Sequence, residues 1–407
     1  MNLKSAKNRL FYMIELADAL KLIDEKRIIE VSKQVIEIPS VTGEEKAVME
    51  HTRRLLESMG IHVEVLGSEE RPIIYACINP DAEKQLIFNG HLDVVQIAKP
   101  DAWAKDPWKP VVEEGRLYGR GSSDMKASCA VMIHLMEILK KLDLPISVGV
   151  HLVPDEEKGA TAGSKILVDK IVSGELRRPD FVVIGEQSNL QVRVAERGMF
   201  GYQVKFYGRA AHTAASRVNG INAIAKASKG VLALEHHIDK HHEWIGHPMQ
   251  SVNIIQGGVI TNQVPAECTI TVDRRLIIGE TADDVVSEVK ADLDKAGEGD
   301  PDWKWELIAP KDENGNWVYT PANYTSPESE LGQAFMKAVR NGLCVEPELY
   351  VTWAGSTDGR LYRQAGIQTI GFGPMGFGAH GPDEFVFIES LVKTAKVWVA
   401  VALELSK

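Results

Sequence analysis

"VGVHLVPDEEKGATAGS" (residues 148–164) opens with an apolar run, Val148 to Val153, and breaks off into three consecutive acids, Asp155, Glu156 and Glu157. The run has the length and β-branched content of a core strand, and the small residues after it are loop formers. A carboxylate withdrawn from water without a partner costs several kcal/mol, so three at the mouth of a buried strand demand compensating groups. The pattern recurs along the chain. "LIFNGHLDVV" (86–95) ends in His91 and Asp93, and "VVIGEQSN" (182–189) ends in Glu186. "YGRGSSDMKAS" (118–128) places Asp124 in a Gly/Ser loop leading into a helix, and "GFGPMGFGAHGPDEF" (371–385) carries His380 after a strand.

These strands are uninterrupted apolar runs, and helical stretches such as 127–141 and 162–173 lie between them. Strands covered on both faces and interleaved with helices predict an α/β, three-layer domain with a mixed, mostly parallel sheet. From about residue 198 the texture changes. "GYQVKFYG", "SVNIIQGG" and "ECTITVDRRL" alternate apolar and polar residues as half-exposed strands do, with helices near 220–238 and 281–295. Their β-α-β-β-α-β order predicts a second, α+β domain over 198–310, inserted into the first. The first texture then returns with helix 327–341, strand 366–371 and helix 388–405, so residues 1–197 and 311–407 make one discontinuous domain.

The 407 residues, 44% of them hydrophobic and 25% charged, describe an ordinary globular protein of about two domains. A net charge of −11 argues against nucleic acid and anionic membrane as partners. Four scattered cysteines without a CxxC pair fit the free thiols of a cytoplasmic protein better than a disulfide framework. Acids interrupt every apolar patch of "MNLKSAKNRLFYMIELADALKLIDEKR" (1–27), which reads as an amphipathic helix rather than a signal peptide. No window holds the ~18 apolar residues of a membrane helix.

In open α/β sheets ligands gather at the carboxyl ends of the strands, where all of these acids and histidines fall. Divalent cations resolve the repulsion among the acids, and imidazole with carboxylate suits zinc or a similar ion. Each residue alone has a plainer explanation: a satisfied or exposed histidine, a solvated "DEE" turn, an Asp124 helix cap. Independent surface residues, however, need not all terminate core strands. Other motif matches fail on context. "HHIDKHHEWIGH" (236–247) puts His242 and His247 five apart, about 140° around a helix, and reads as a solvated helix end. "GFGPMG" (371–376) has Pro374 where a pyrophosphate-binding helix would begin, and no GxSxG marks a nucleophile elbow.

Together, "GHLDVV", "GRLYGRGSSDMK", "DEEKG", "GE" (185–186), "AAHTAASRVNGINA", "NQVPAECTITVDRR", "GSTDGR" and "GAHGPDE" resemble the di-zinc amidohydrolase family of acetylornithine deacetylase, succinyl-diaminopimelate desuccinylase, aminoacylase and glutamate carboxypeptidase. The motifs run in the family's order over nearly the whole chain beyond the first twenty-odd residues. The resemblance implies two Zn2+ per subunit, replaceable by Co2+ or Mn2+, with Asp124 bridging them. His91 and Glu186 complete one site, and Glu157 and His380 the other. It makes Glu156 the general base and Asp93 the acceptor that fixes the His91 imidazole. It implies a cis peptide at Asp124–Met125, and a lid domain that carries a homodimer interface. From that lid His212 reaches the partner's site to steady the oxyanion, while Asn262 and Arg275 hold a substrate carboxylate. Gly355 and Ser356 offer backbone groups near the ligand.

The physics agrees with those roles. Two ions about 3.5–4 Å apart need a shared ligand, and a water between them loses its proton near pH 7. In an extended segment neighbouring side chains diverge, so Glu156 and Glu157 can take separate duties, leaving Asp155 to the loop. Arg274 alternates away from Arg275. Ala127 and Trp108 depart from the family's usual Gly and Phe. Glu186, where peptidases of the family often carry Asp, leans towards deacylase or carboxypeptidase chemistry. The expected activity is metal-dependent removal of an acyl group from an N-acyl amino acid, or cleavage of a C-terminal peptide bond, through the water between the zinc ions. A dipeptidase is the runner-up. The rivals are an inactive binding homologue and a serine hydrolase using Ser122 or Ser123.

Overall fold

The computed structural model describes residues 16–347, 352–353 and 355–407; the first fifteen residues of the expected N-terminal helix lie outside these. The principal elements in chain order are α1 (Glu25–Ile36), α2 (Lys46–Ser58), β1 (His62–Gly67), β2 (Pro72–Ile78), β3 (Gln85–His91), α3 (Lys126–Leu142), β4 (Ser147–Val153), α4 (Ser164–Ser173) and β5 (Phe181–Ile184). Then come β6 (Gly198–Tyr207), α5 (Ala223–Leu234), β7 (Met249–Gly257), β8 (Glu267–Leu276), α6 (Ala282–Ala296) and β9 (Trp305–Ile308). The chain closes with α7 (Glu330–Leu343), α8 (Gly359–Gln364), β10 (Gln368–Gly371) and α9 (Ile388–Leu405). It forms two compact units: one of residues up to Val194 and from Tyr324 onward, the other spanning Ala195–Asn323.

In the first unit a six-stranded sheet runs β1-β2-β4-β3-β5-β10. The pairs β4–β3, β3–β5 and β5–β10 are parallel, and β2 is antiparallel to β1 and β4. Every residue of β3, β4 and β5 is buried, as their unbroken apolar runs require. Successive side chains on β3 show why. Ile87 packs into a cluster with Val168 and Ile171 of α4 and Tyr362 of α8, while Phe88 meets Trp398 of α9 across the opposite face. Helices therefore cover both faces, and the architecture is three-layered.

The second unit is α+β, in the expected β-α-β-β-α-β order. Its antiparallel sheet runs β7-β8-β6-β9. Alternate residues of β6 (Phe200, Tyr202, Val204, Phe206) and β8 (Cys268, Ile270, Val272) face α5 and α6 in one core. Gly230 lets α5 come close, because a Cβ there would stand 2.2 Å from the Phe206 ring. Residues 311–323, expected in the first domain, stay with this unit: Trp317 packs edge-on against Phe200 at 6.2 Å and Thr320 pairs with Met199. Residues 236–247 are not a helix end, since α5 stops at Leu234 and the histidines lie in the loop that follows. Among the described residues no helix is long and apolar enough to cross a membrane.

Candidate metal centre

Topology assembles the centre. The three parallel strands β4, β3 and β5 end on one edge of the sheet, with β3 between the others. His91, at the end of β3, is thereby flanked by the acids after β4 and by Glu186 after β5. Asp124 arrives from the loop preceding α3, and its bond to Met125 is cis. His380 comes from the glycine-rich loop before α9, with a left-handed φ of 64°.

His91 Nε2 stands 3.1 Å from Asp124 Oδ1 and 3.2 Å from Glu186 Oε1. His380 Nε2 stands 3.2 Å from Asp124 Oδ2 and 3.0 Å from Glu157 Oε2. The structure thus brings five residues named from sequence into two donor sets, and in each set the ligand atoms lie within 4.8 Å of one another. Asp124 belongs to both sets, giving one oxygen to each histidine. Glu156 belongs to neither.

The charges show what such a set requires. Burial, reinforced by Asp124, pushes Glu186 up to about 7. Hydrogen bonds to Asp124 and Glu157 push His380 up to about 10. Burial lowers the proton affinity of His91, but Glu186, Asp124 and Asp93 together raise it well above the usual imidazole range. Protons on imidazoles and carboxyls are what neutralises this cluster in the protein alone. A divalent cation does the same work and releases them, so the two sets fit a dinuclear metal site of imidazole and carboxylate ligands.

Asp93 lies behind the His91 ring. His91 Nδ1 is 2.9 Å from the Asp93 main-chain carbonyl and 3.4 Å from its carboxylate, which helps raise the proton affinity of the imidazole. The carboxylate also accepts from Thr42 Oγ1 at 2.9 Å and from the N–H groups of Glu156 and Glu157 at 3.2 and 3.3 Å. It aims the acidic turn. That turn has left-handed residues at Asp155 (φ 73°) and Ala160 (φ 63°), and such geometry persists only where neighbours over-determine it. Asp155 accepts from Thr161 and Ala162 and pairs with Arg71 at 2.9 Å, a loop-holding role.

Two further acids escaped notice in the sequence. Glu384 is fully buried, pairs with Arg120 at 2.6 Å, and accepts the N–H groups of Gly121, Ser123 and Asp124 at 2.8–3.0 Å. It shapes the loop that presents Asp124. Asp358, also buried, accepts from Ser164 Oγ at 2.6 Å, and Arg360 donates to Gly159 O at 3.3 Å, so "TDGR" brackets the acidic loop. Their only signal was an acid inside a Gly-rich motif.

Residues 87–404 match the model of peptidase family M20/M25/M40. The chain belongs to this family. It is a metal-dependent hydrolase of amide bonds. The succinyl-diaminopimelate desuccinylase of Herminiimonas arsenicoxydans is 28% identical over 377 residues, covering 90% of this chain and 96% of that one. The desuccinylase of Azoarcus sp. is 27% identical over 375 residues, covering 90% and 94%. The fold is shared with aminopeptidase PepT of Bacillus cereus (TM-score 0.77, 18% identity, 95% of this chain and 100% of that chain). It is also shared with Bacillus subtilis YXEP, a dinuclear metal-binding M20 peptidase (TM-score 0.67, 17% identity, 93% and 97%).

The inserted unit of this M20 family chain holds three more of the residues named from sequence. His212 is exposed, and its Nδ1 accepts the Ala214 N–H at 3.2 Å. Asn262 lies beside it, since Thr213 N–H donates to the Asn262 carbonyl at 3.0 Å and His212 pairs with Gln263. Arg275 has its fork on Asp273, with Nη2 to Oδ2 at 3.0 Å and Nε to Oδ1 at 2.9 Å. Arg274 points the other way, buried against Glu280 and Glu288. In the first unit Gly355 and Ser356 are exposed, on a loop whose residue 354 lies outside those described.

Proposed function

We propose that this protein removes the acyl group from an N-acyl amino acid, or cleaves a C-terminal peptide bond, in substrates with a free α-carboxylate, and that Glu156 is its acid–base group. One observation carries this reading: beside two donor sets that share Asp124, Glu156 is the carboxyl left outside both. Its proton affinity is raised well above the carboxylate range, chiefly by burial and against the pull of His91. A carboxyl of that kind can take a proton from an attacking water and hand it to the departing nitrogen.

In this reading His91, Asp124 and Glu186 would hold one ion and Asp124, Glu157 and His380 the other. Zinc suits these donors best, with cobalt or manganese as substitutes. The ions would supply Lewis acidity to the scissile carbonyl and to water. His212 is prepared to donate: its Nδ1 accepts from Ala214, which leaves the proton on Nε2 for a developing oxyanion. Arg275 is the candidate grip for the carboxylate: Asp273 engages the Nε–Nη2 edge and orients the guanidinium, so the Nη1–Nη2 edge is the one that would pair two substrate oxygens. The desuccinylase relatives favour an acylated amino acid as substrate.

We further read the protein as a cytoplasmic homodimer joined through the inserted unit. Four free thiols support the compartment. The edge strand β7, with Met249, Ile254 and Ile255 exposed, supports the interface. The deciding experiment compares turnover of N-acetyl and N-succinyl amino acids with that of unblocked dipeptides by zinc-loaded protein. Preference for the dipeptides overturns the deacylase reading.

A further inference from the structure

The inserted unit carries a histidine group to which the proposed reaction gives no role. After α5 the chain crosses to β7 through "EHHIDKHHEWIGH" (235–247). This loop is built rather than loose. Ile238 and Ile245 are buried, at 9% and 2% exposure. His236 Nε2 stands 2.9 Å from Asp292 of α6, and Lys240 pairs with Glu280 and Glu288. Arg197 donates to the Ile245 and His247 carbonyls at 2.6 and 2.5 Å. A turn closes the loop, His242 N–H to Gly246 O at 3.0 Å and Gly246 N–H to His242 O at 2.7 Å.

With Ile238 and Ile245 buried, the loop leaves three imidazoles exposed, that of His247 against each of the other two. The ring centre of His247 lies 4.8 Å from that of His237 and 5.1 Å from that of His241. Two imidazoles on one tetrahedral ion, with Zn–N of about 2.0–2.1 Å, have ring centres about 5.2 Å apart. The separations match, while the nitrogens do not yet converge as tightly as in the dinuclear centre. Ring rotation, which exposed side chains make on the ps–ns timescale, would have to bring the three nitrogens onto one ion. His247 Nδ1 stands 2.6 Å from the Lys240 carbonyl, an acceptor only. The proton therefore sits on Nδ1 and the Nε2 lone pair faces out, the carbonyl–imidazole arrangement that orients a metal ligand. His236 and His242 are otherwise engaged, with Asp292 and with the Trp244 N–H.

We propose that His237, His241 and His247 form an accessory site for a borderline divalent ion such as Zn2+ or Ni2+, with water completing the coordination. Filled, it would staple the α5–β7 connection. The site shares no residue with the donor sets of the first unit and does not depend on the proposed substrate.

The test is metal counting on full-length protein with its dinuclear centre loaded. Equilibrium dialysis against buffered Zn2+ alone, followed by elemental analysis, should give one more zinc per chain for wild type than for His247→Gln. His241→Gln, which removes an exposed ring with no hydrogen bond of its own to lose, should lose the same equivalent while hydrolytic activity stays at the wild-type level. His242→Gln should keep it. Equal counts in wild type and both ligand variants, or an extra zinc that survives either substitution, overturn the proposal.

Discussion

Glu384 accepts the main-chain N–H of Asp124 at 2.9 Å across 260 positions of sequence, and the same carboxylate pairs with Arg120 at 2.6 Å. The residue shared by both donor sets is thus held from behind by an acid that touches neither histidine. Removing one partner of a buried ion pair strands the other, at about 3–5 kcal/mol. Glu384→Ala should therefore lower unfolding stability by that amount in denaturant titration. In the fraction still folded it should also weaken metal retention, because the 121–124 loop loses three acceptor bonds.

Asp124→Asn should be the costliest change to metal content, since both sets lose the same ligand. Elemental analysis should show both ions depleted, whereas Glu186→Gln should deplete chiefly one. Equal single-ion losses in the two variants would contradict a shared aspartate.

Glu156→Gln removes the carboxyl that no donor set uses. It should lower kcat by about 10²–10⁴ while leaving metal content unchanged. Wild-type kcat in this variant would exclude Glu156 as the acid–base group.

Metal binding should tighten as pH rises. With His380 held up to about 10 and Glu186 up to about 7, both must lose protons before ligating. In chelated protein the raised His380 has the opposite sign: its pairing stabilises fully below the ordinary imidazole range and fades as pH rises through about 10. The gap in Tm between metal-loaded and chelated protein should widen between about pH 6 and about pH 9. A constant gap would sink this account.

If His212 acts across a dimer, Glu156→Ala and His212→Ala proteins, each nearly inactive, should complement when mixed. Random exchange leaves one intact site in each heterodimer, so about a quarter of wild-type activity should return. No recovery in a mixture shown to exchange subunits would place His212 in its own chain's site or outside the reaction.

The sequence on its own determined which strands are buried on both faces, because unbroken apolar runs carry that information locally. It also determined that acids and histidines cluster where those strands end. Asp93 shows the limit: its spacing from His91 suggested a carboxylate beside the imidazole, but not that the same carboxylate also accepts the N–H groups of Glu156 and Glu157. Glu384 and Asp358 were invisible for the same reason. A buried acid is defined by its hydrogen-bond partners, and these lie hundreds of residues away. Likewise Trp317 keeps residues 311–323 with the inserted unit through a ring contact that no local pattern encodes. Only the order of the strands in the sheet decides which chain segments meet, and those meetings select one acid for structure and its neighbour for chemistry.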